Sequence, residues 1–217
     1  MNQSAGNPYH QEIHFPNTYF LTSIADFQGD SKLPQEPLLG FVGRSNSGKS
    51  SLLNAITNKR GLAKVSKTPG KTKLINIFGT KSGFSLVDLP GFGYSKASHK
   101  EHKEMMGLLD QFLNQTNDLK YLFILCDCAR TFPEEEMQMI ETCHQKKIIP
   151  VVIRTKVDKL NQKERNIVQR DMETVMNELG FPFPLFFTST NSGKGINEIR
   201  KFILEKMKVV LPANSSN

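Results

Sequence analysis

The chain has few of the residues that build disulfide frameworks and histidine metal sites. It contains three cysteines and five histidines in 217 residues. An odd number of cysteines argues against a disulfide framework and favours a reducing compartment. Cys126 and Cys128 alternate on an apolar stretch, so we expect them to pack in a core. The histidines are scattered along the chain, and their pattern predicts no histidine metal site.

Long apolar runs are also missing. The first seven residues are polar and contain no signal-peptide core. No run approaches the roughly 20 apolar residues of a membrane span. We therefore expect a cytoplasmic protein without a membrane partner.

Acidic residues are fewer than basic ones. The chain has 21 Asp and Glu against 28 Lys and Arg, a formal net charge of +7. This balance favours a polyanionic partner without identifying it. The length suits one α/β domain with a full core. We expect a disordered or extended tail over 1–17, a single domain over 18–211, and a disordered tail over 212–217.

The strongest pattern in the sequence is G-x-x-x-x-G-K-S, which is typical of a phosphate-binding loop. The loop comprises Gly43, Arg44, Ser45, Asn46, Ser47, Gly48, Lys49 and Ser50. An apolar strand-like segment precedes it and a helix-like segment follows it, as this motif requires. Its glycines let backbone N–H groups point at phosphate oxygens, and the helix N-terminus adds partial positive charge. We expect Lys49 to reach the β- and γ-phosphates and Ser50 to ligate Mg²⁺.

Strand and helix signals alternate along the rest of the chain. Strands are predicted at 38–42, 74–78, 83–88, 121–126, 148–153 and 184–188, with a further edge candidate at 18–23. Helices are predicted after the phosphate loop to about residue 58, then at 101–117, from 133 onward, at 161–179 and at 195–210. This order predicts an α/β fold: a mainly parallel six-stranded sheet with helices on both faces and one antiparallel strand from a hairpin.

A second candidate site is the segment Asp88, Leu89, Pro90 and Gly91 at the end of a predicted strand. An Asp before Pro-Gly is often a turn residue. After a phosphate loop, however, it can hold Mg²⁺ through a water, and the Gly91 N–H can meet a γ-phosphate.

Two later segments predict recognition of a guanine base. Thr155, Lys156, Val157 and Asp158 follow a buried strand. The Asp158 carboxylate can accept hydrogen bonds from N1–H and the 2-amino group of guanine, while the Lys156 stem lies against the ring. Phe187, Thr188 and Ser189 end the last strand, and backbone N–H groups there can meet the guanine 6-oxo group.

The basic loop over 60–73 contains two threonines, Thr68 and Thr72. A GTPase needs one threonine in this loop to ligate Mg²⁺ when the γ-phosphate is present. The residues alone leave both threonines as candidates.

Together these segments resemble the EngB family of bacterial GTPases, also called YihA or YsxC, within the TrmE-Era-like class. The similarity extends over about residues 18–210. It is carried by 43–50, 66–72 with 74–76, 88–94 and 155–158. Two positions depart from the family pattern, because Phe92 replaces the usual Tyr and Thr188 stands where Ser is common.

The resemblance implies a Ras-like P-loop GTPase fold that binds GTP, GDP and Mg²⁺. It implies a monomeric switch in assembly of the large ribosomal subunit, with the subunit precursor and its rRNA as partners and no DNA. It also implies a link to cell division and septum formation. By position, Thr72 rather than Thr68 ligates Mg²⁺. The residues implied to line the nucleotide here are Gly70, Lys71, Thr72, Lys73 and Leu74, and Phe187, Thr188 and Ser189 fall on the guanine-loop positions.

For hydrolysis we expect in-line attack of water on the γ-phosphate, with Lys49 and Thr72 as catalytic residues. Ras-type enzymes carry a water-orienting Gln where this chain has Phe92, so intrinsic turnover should be slow. Relatives that carry Asn at the position of Asn46 use a potassium ion beside the phosphates. Asn46 is therefore a candidate K⁺ ligand.

Two other functions fit parts of the sequence. A small-molecule phosphotransferase uses the same phosphate loop, but it usually needs an Arg-bearing lid, and residues 92–103 contain no Arg. A constitutive RNA-binding protein with a vestigial nucleotide site is the other alternative. The intact Lys49, Ser50 and Asp158 count against it.

Overall fold

A computed structural model describes residues 13–27, 33–63, 74–91 and 99–209. Seven strands in these ranges form one sheet in the order β1-β3-β4-β2-β5-β6-β7. They are β1 (Thr18–Ile24), β2 (Leu38–Gly43), β3 (Ile75–Thr80), β4 (Ser85–Asp88), β5 (Leu119–Asp127), β6 (Ile149–Thr155) and β7 (Leu185–Phe187). Of these, β3 alone runs opposite to its neighbours, because it pairs antiparallel with both β1 and β4. The expected antiparallel hairpin strand is therefore confirmed.

The sheet has one strand more than the predicted six. The additional strand is β1, which the sequence offered only as an edge candidate. It pairs with β3 over its whole length, with a register shift between Phe20 and Thr22. A polar, half-exposed edge strand gives a weak alternation signal, so pairing with β3 rather than local preference determines it.

In the described ranges, five α-helices follow the order expected from the sequence, and one short 3₁₀ helix was not predicted. They are α1 (Lys49–Ile56), α2 (His99–Gln115), α3 (Glu134–Gln145), the 3₁₀ helix (Val157–Lys159), α4 (Gln162–Leu179) and α5 (Ile196–Lys206). A capping box between Asn161 and Glu164 begins α4, and Gly180 ends it in the left-handed conformation with φ 74°. Pro133 precedes α3 as its N-cap in an extended conformation, so that helix begins one residue later than predicted.

Helices cover both faces of the sheet. Alternate residues along β5 show this, since Leu122 and Ile124 join a core with α2, α3 and α4. Phe123 and Leu125 join a second core with α1 and α5. Strand β2 lies in the middle of the sheet and is buried along its whole length. Its position fixes the loop that follows it, because every face and edge of the strand is covered.

None of the described helices combines the length and apolar composition that a membrane crossing needs. Of the predicted tails at 1–17 and 212–217, residues 1–12 and 212–217 lie outside the described residues, whereas 13–17 are described and place Phe15 in the core.

Candidate functional site

The phosphate loop, residues 43–50, turns sharply between β2 and α1. Asn46 and Gly48 both have positive φ, 64° and 94°. The turn is closed by the Ser47 N–H, which donates to the Arg44 carbonyl at 3.0 Å. Gly43 has no room for a side chain, since a Cβ there would lie 2.6 Å from the Leu125 carbonyl oxygen. No acidic residue occupies the first turn of α1, so its N-terminal N–H groups suit an anion.

Two of the predicted phosphate and metal residues contact each other directly. Lys49 Nζ forms an ion pair with Asp88 Oδ1, and their side chains are only 12% and 5% exposed. Gly91 lies against the phosphate loop, because a Cβ at this position would be 2.8 Å from the Gly43 carbonyl oxygen. Leu89 and Pro90 between them are buried. The second motif is thus packed on the first, as its proposed role requires.

The donors present suit Mg²⁺. The Ser50 hydroxyl and the Asp88 carboxylate are hard oxygen ligands, and Mg²⁺ is usually held by one or two such groups together with substrate phosphates. Within the described ranges, no group of three or more His, Cys, Asp or Glu residues forms a protein-only metal cage. The third predicted ligand, Thr72, lies outside the described residues with Thr68, Gly70, Lys71, Lys73 and Phe92. Leu74 is described and is 38% exposed.

The guanine motif, residues 155–158, is bound to the phosphate loop by two hydrogen bonds. Thr155 Oγ1 donates to the Ser47 carbonyl at 2.7 Å. Lys156 Nζ donates to the Asn46 carbonyl at 2.6 Å and forms an ion pair with Asp127 Oδ2 at 2.8 Å. Lys156 adopts the left-handed conformation, φ 61°, which brings its stem back across the loop. The predicted partners of the base and of the phosphates are therefore held at a fixed distance from one another.

Asp158 is exposed and remains an acceptor. A hydrogen bond from Ser189 holds the pKa of its carboxyl below the usual value, against a smaller effect of desolvation. Asn191 Nδ2 also donates to Asp158 Oδ2 at 3.3 Å. An ionised carboxylate in this position can accept the two N–H donors of guanine.

The last predicted segment, residues 187–189, makes hydrogen bonds to neighbouring parts of the protein. The Thr188 N–H donates to the Arg154 carbonyl at 2.9 Å, and the Ser189 N–H donates to the Lys194 carbonyl at 3.0 Å. Both donors therefore have acceptors within the protein, and the contact of this segment with the guanine 6-oxo group stays a prediction. The Ser189 hydroxyl also supports the Asp158 carboxylate. Sequence reasoning could not see this, because the bonds depend on how the following loop folds back.

A cavity of about 220 Å³ lies where the two motifs meet. Its walls come from both loops and from the chain after β7. They comprise Gly48, Ser51, Leu52, Thr155, Lys156, Asp158, Lys159, Thr188, Thr190 and Asn191. Phe187 and Ser189 are absent from this lining, whereas Thr190 and Asn191 were missed by the sequence reasoning. The cavity lies at the carboxyl ends of parallel strands, where α/β folds bind nucleotides.

Asp127 is a further site residue that the sequence reasoning overlooked. Burial alone would raise the pKa of its carboxyl, but hydrogen bonds from Lys156 and the Ala129 N–H outweigh this and lower it. Asp127 ends β5 directly after an apolar run, at the same sheet edge as Asp88. That position was the available signal. Its role is to anchor the Lys156 ammonium group.

Two glutamates in the first turn of α3 face the outer side of the phosphate loop. Arg44 Nη1 lies 3.6 Å from Glu135 Oε2. The next residue, Glu136, is fully buried, and neither of its carboxylate oxygens has a hydrogen-bond partner among the described residues. Burial raises the pKa of Glu136 to about 7, although the positive charge of Arg44 opposes this. Near pH 7 this carboxyl is therefore divided between its neutral and ionised forms.

The sheet, the phosphate loop and the guanine motif define a P-loop GTPase with a Ras-like fold. A sequence model of the family described as 50S ribosome-binding GTPase matches residues 38–156. A curated relative from Leptospira biflexa, a probable GTP-binding protein EngB, is 62% identical over 93% of this chain and 94% of its own length. Its counterpart in Clostridium perfringens is 39% identical over 82% of this chain and 88% of its own. The chain belongs to the EngB family of GTP-binding proteins.

Solved structures support the same fold. A crystal structure of a probable GTP-binding protein EngB covers 79% of this chain and 98% of its own, with a TM-score of 0.66 at 20% identity. A structure of Era with MgGDPNP and a 16S ribosomal RNA segment covers 83% of this chain and 59% of its own, with a TM-score of 0.61 at 17% identity. Because these sequence identities are low, the two structures are evidence for the fold alone.

The buried carboxyl of Glu136 predicts a pH dependence of stability. Its pKa is raised from 4.5 to about 7 on folding. The native state therefore binds this proton more tightly than the unfolded chain, and stability falls as pH rises through that window, by at most about 3 kcal/mol. Glu136→Gln should remove this fall. Urea unfolding of both proteins between pH 5 and 8 measures the difference.

Glu135→Gln is the matched control, because this neighbouring carboxylate is 53% exposed. It should retain the pH dependence of the wild type. Parallel stability curves for wild type and Glu136→Gln would show that Glu136 is not buried in this way.

Asp158 predicts the base specificity of the site. Asp158→Asn should weaken GTP binding roughly tenfold or more, because a charged hydrogen bond is lost. It should relatively favour xanthosine triphosphate, since an amide N–H can face the carbonyl at position 2 of that base. Titration calorimetry with both nucleotides provides the measurement. An unchanged preference for GTP over XTP in the variant would refute the guanine assignment.

Proposed function

We propose that this protein acts as a GTP-driven switch in assembly of the large ribosomal subunit. The observation that carries the nucleotide part is the cavity bounded by both the phosphate loop and the guanine motif. The family description, 50S ribosome-binding GTPase, and the net charge of +7 support the ribosomal part. The partners are the subunit precursor and its rRNA. A cytoplasmic location, a monomeric state and a link to septum formation belong to the same proposal.

The phosphate end of the site explains how hydrolysis is supported. Backbone N–H groups of the loop and the Lys49 ammonium offset the charge of the β- and γ-phosphates. Ser50, Asp88 and Thr72 would hold Mg²⁺, which neutralises charge on the phosphates when bound. Lys49 and Asp88 form an ion pair with each other. When a nucleotide binds together with its cation, Lys49 can exchange Asp88 for a phosphate group, and Asp88 can exchange Lys49 for the cation.

Orientation of the attacking water needs a group other than the side chain of residue 92. Phe92 can neither donate nor accept a hydrogen bond. An ion, a loop residue or the ribosome therefore orients the water or supplies charge in this proposal, and intrinsic hydrolysis is slow.

Lysines near the nucleotide-responsive segments provide the rRNA contact in this proposal. Lys100 and Lys103 lie on α2 and are exposed. The remaining members, Lys64, Lys67, Lys71, Lys73 and Lys96, lie outside the described residues. Only a few residues separate the Asp88–Gly91 motif from α2. A conformational change of this motif in response to the γ-phosphate can therefore shift these lysines.

The proposal predicts nucleotide-dependent binding to large-subunit precursor particles. Co-sedimentation should show stronger binding with a nonhydrolysable GTP analogue than with GDP. Replacing Lys96, Lys100 and Lys103 with Ala should weaken binding and reduce its salt dependence, because up to three phosphate contacts are lost. GTP affinity should stay near that of the wild type.

A control of equal charge uses three exposed lysines on other helices, Lys163, Lys201 and Lys206. Their replacement with Ala should leave particle binding unchanged. Equal salt slopes for wild type and the first variant would rule out this lysine patch. Equal binding to the particles with GDP and with the GTP analogue would contradict the proposed switch.

Asn46 predicts a dependence on potassium. Its side chain is exposed beside the phosphate loop, and the carboxamide oxygen can ligate a monovalent cation. A positive charge supplied here as Arg is worth about 10³–10⁵ in rate. We expect hydrolysis to be roughly tenfold or more faster in KCl than in NaCl at equal ionic strength. Turnover with precursor particles present is the measurement.

Two variants separate the side chain from the backbone at this position. Asn46→Ala should remove the difference between the salts with little loss of GDP binding. Asn46→Gly should do the same without strain, since φ is 64°. Identical wild-type turnover in KCl and NaCl would contradict a potassium ion at Asn46.

A further inference from the structure

Strand β1 exposes two adjacent aromatic side chains at the edge of the sheet. Tyr19 is 47% and Phe20 is 57% exposed. Successive residues of a strand point to opposite faces, so each ring lies on a different face of this edge. Large exposed aromatic groups are a cost to a protein that has no partner for them. Their position is far along the sheet order from β6 and β7, which carry the guanine motif.

Both rings are held in place by the sheet beneath them. Phe20 packs edge-to-face on Phe78, with ring centroids 6.1 Å apart, and Phe78 belongs to the core shared with α1 and α5. Tyr19 covers Gly79, where a Cβ would lie 2.8 Å from the Tyr19 ring. A glycine at this point lets the tyrosine lie close to the backbone. The two rings are therefore fixed platforms, and binding would cost little side-chain entropy.

The segments beside the two rings carry positive charge, and the nearest carboxylate that the structure describes in their cross-strand row is Glu36, which accepts from the Ser85 hydroxyl opposite Gly79. Residues 13–25, 54–63 and 74–87 contain no Asp or Glu. Lys59 Nζ donates to the Thr18 carbonyl, and the Lys81 N–H donates to the Asn17 carbonyl. Both lysines thus lie beside the start of β1. The sign of this charge is complementary to a phosphate backbone.

A cavity of about 340 Å³ extends this surface on the side of α1 and α5. Its lining includes His14, Lys59 and Arg200, and no acidic residue. Arg200 is 4% exposed and donates to the Ala55 and Ile56 carbonyls at the end of α1. The cavity reaches the start of β1 at Asn17, and Phe20 lies over the same core through its contact with Phe78.

A strand from another protein is a poorer match for this edge. The register shift after Phe20 interrupts regular pairing, and bulges of this kind protect edges against strand addition. The Thr18 carbonyl, moreover, already accepts from Lys59. Fixed aromatic rings among lysines are instead typical of surfaces that bind single-stranded nucleic acid.

We propose that the β1 edge, defined as Tyr19, Phe20, Lys59 and Lys81, binds single-stranded rRNA of the subunit precursor. Bases stack on the two rings and phosphates meet the two lysines. This inference rests on the proposed function for the identity of the RNA. The contact is separate from the α2 lysines.

The chain contains no tryptophan, which permits a direct test of stacking. Phe20→Trp keeps an aromatic ring and introduces a single tryptophan, whose fluorescence can be excited selectively. Titration of the full-length variant with a 12-nucleotide single-stranded RNA of mixed sequence should quench its fluorescence. Ile167→Trp is the matched control, because Ile167 is 56% exposed on α4. Its fluorescence should change little.

Two further variants separate stacking from charge. Tyr19→Leu with Phe20→Leu keeps apolar contact with the sheet, and should weaken RNA binding by at least about fivefold without changing the salt slope. Lys81→Ala should lower the magnitude of that slope by about 0.7. GDP affinity should be unchanged in all variants, which verifies that they are folded.

The outcomes distinguish this inference from the proposed function. Absence of quenching in Phe20→Trp, or equal quenching in Ile167→Trp, would overturn the RNA contact even if the wild type binds precursor particles. Loss of particle binding in the leucine variant without any RNA binding by the wild type would also overturn it, in favour of a protein partner. RNA binding at β1 without nucleotide-dependent particle binding would support the surface and defeat the switch.

Discussion

The site depends on the hydrogen bond from the Thr155 hydroxyl to the Ser47 carbonyl, 2.7 Å long. It joins the ends of β2 and β6, two strands that are not neighbours because β5 lies between them. Lys156 adds a second link to the phosphate loop and is anchored by Asp127 at the end of β5. Three strand ends are thereby fixed together. A nucleotide can bridge phosphate and base contacts only if that separation is constant.

This arrangement buries a positive charge behind the strand ends, which is unfavourable by itself. Arg154 on β6 is fully buried, and its guanidinium group donates to the carbonyls of Asp127 and Arg130. It also lies 5.5 Å from the centre of the Phe132 ring. Backbone carbonyls and an aromatic face offset part of the desolvation of the cation. The same hydrogen bonds hold the chain after β5 in place. They thereby position the Asp127 carboxylate that forms the ion pair with Lys156.

The sequence predicted the parts of the fold and site that depend on local pattern. The phosphate loop is specified by glycines and a lysine at fixed spacing, and apolar runs place β2, β5 and β6 in a covered sheet. The pairing of β1 with β3 was uncertain because it joins segments far apart in the chain. The internal hydrogen bonds of the Thr188 and Ser189 N–H groups were not predicted, since their acceptors lie on β6 and at Lys194. The burial of Glu136 was not predicted, because a run of three glutamates is typical of an exposed helix face.

The two RNA contacts proposed for this protein differ in how they are connected to the nucleotide. Gly91 touches the Gly43 carbonyl, and the chain reaches α2 only a few residues later. Strand β1, by contrast, is held by β3 and by Lys59, neither of which belongs to the phosphate or guanine contacts. A contact of the first kind can change with the γ-phosphate, whereas the second stays constant. Because the affinities of linked contacts multiply, a nucleotide-dependent change at α2 would alter the affinity for the particle by the same factor, while the β1 contact would set the affinity that remains.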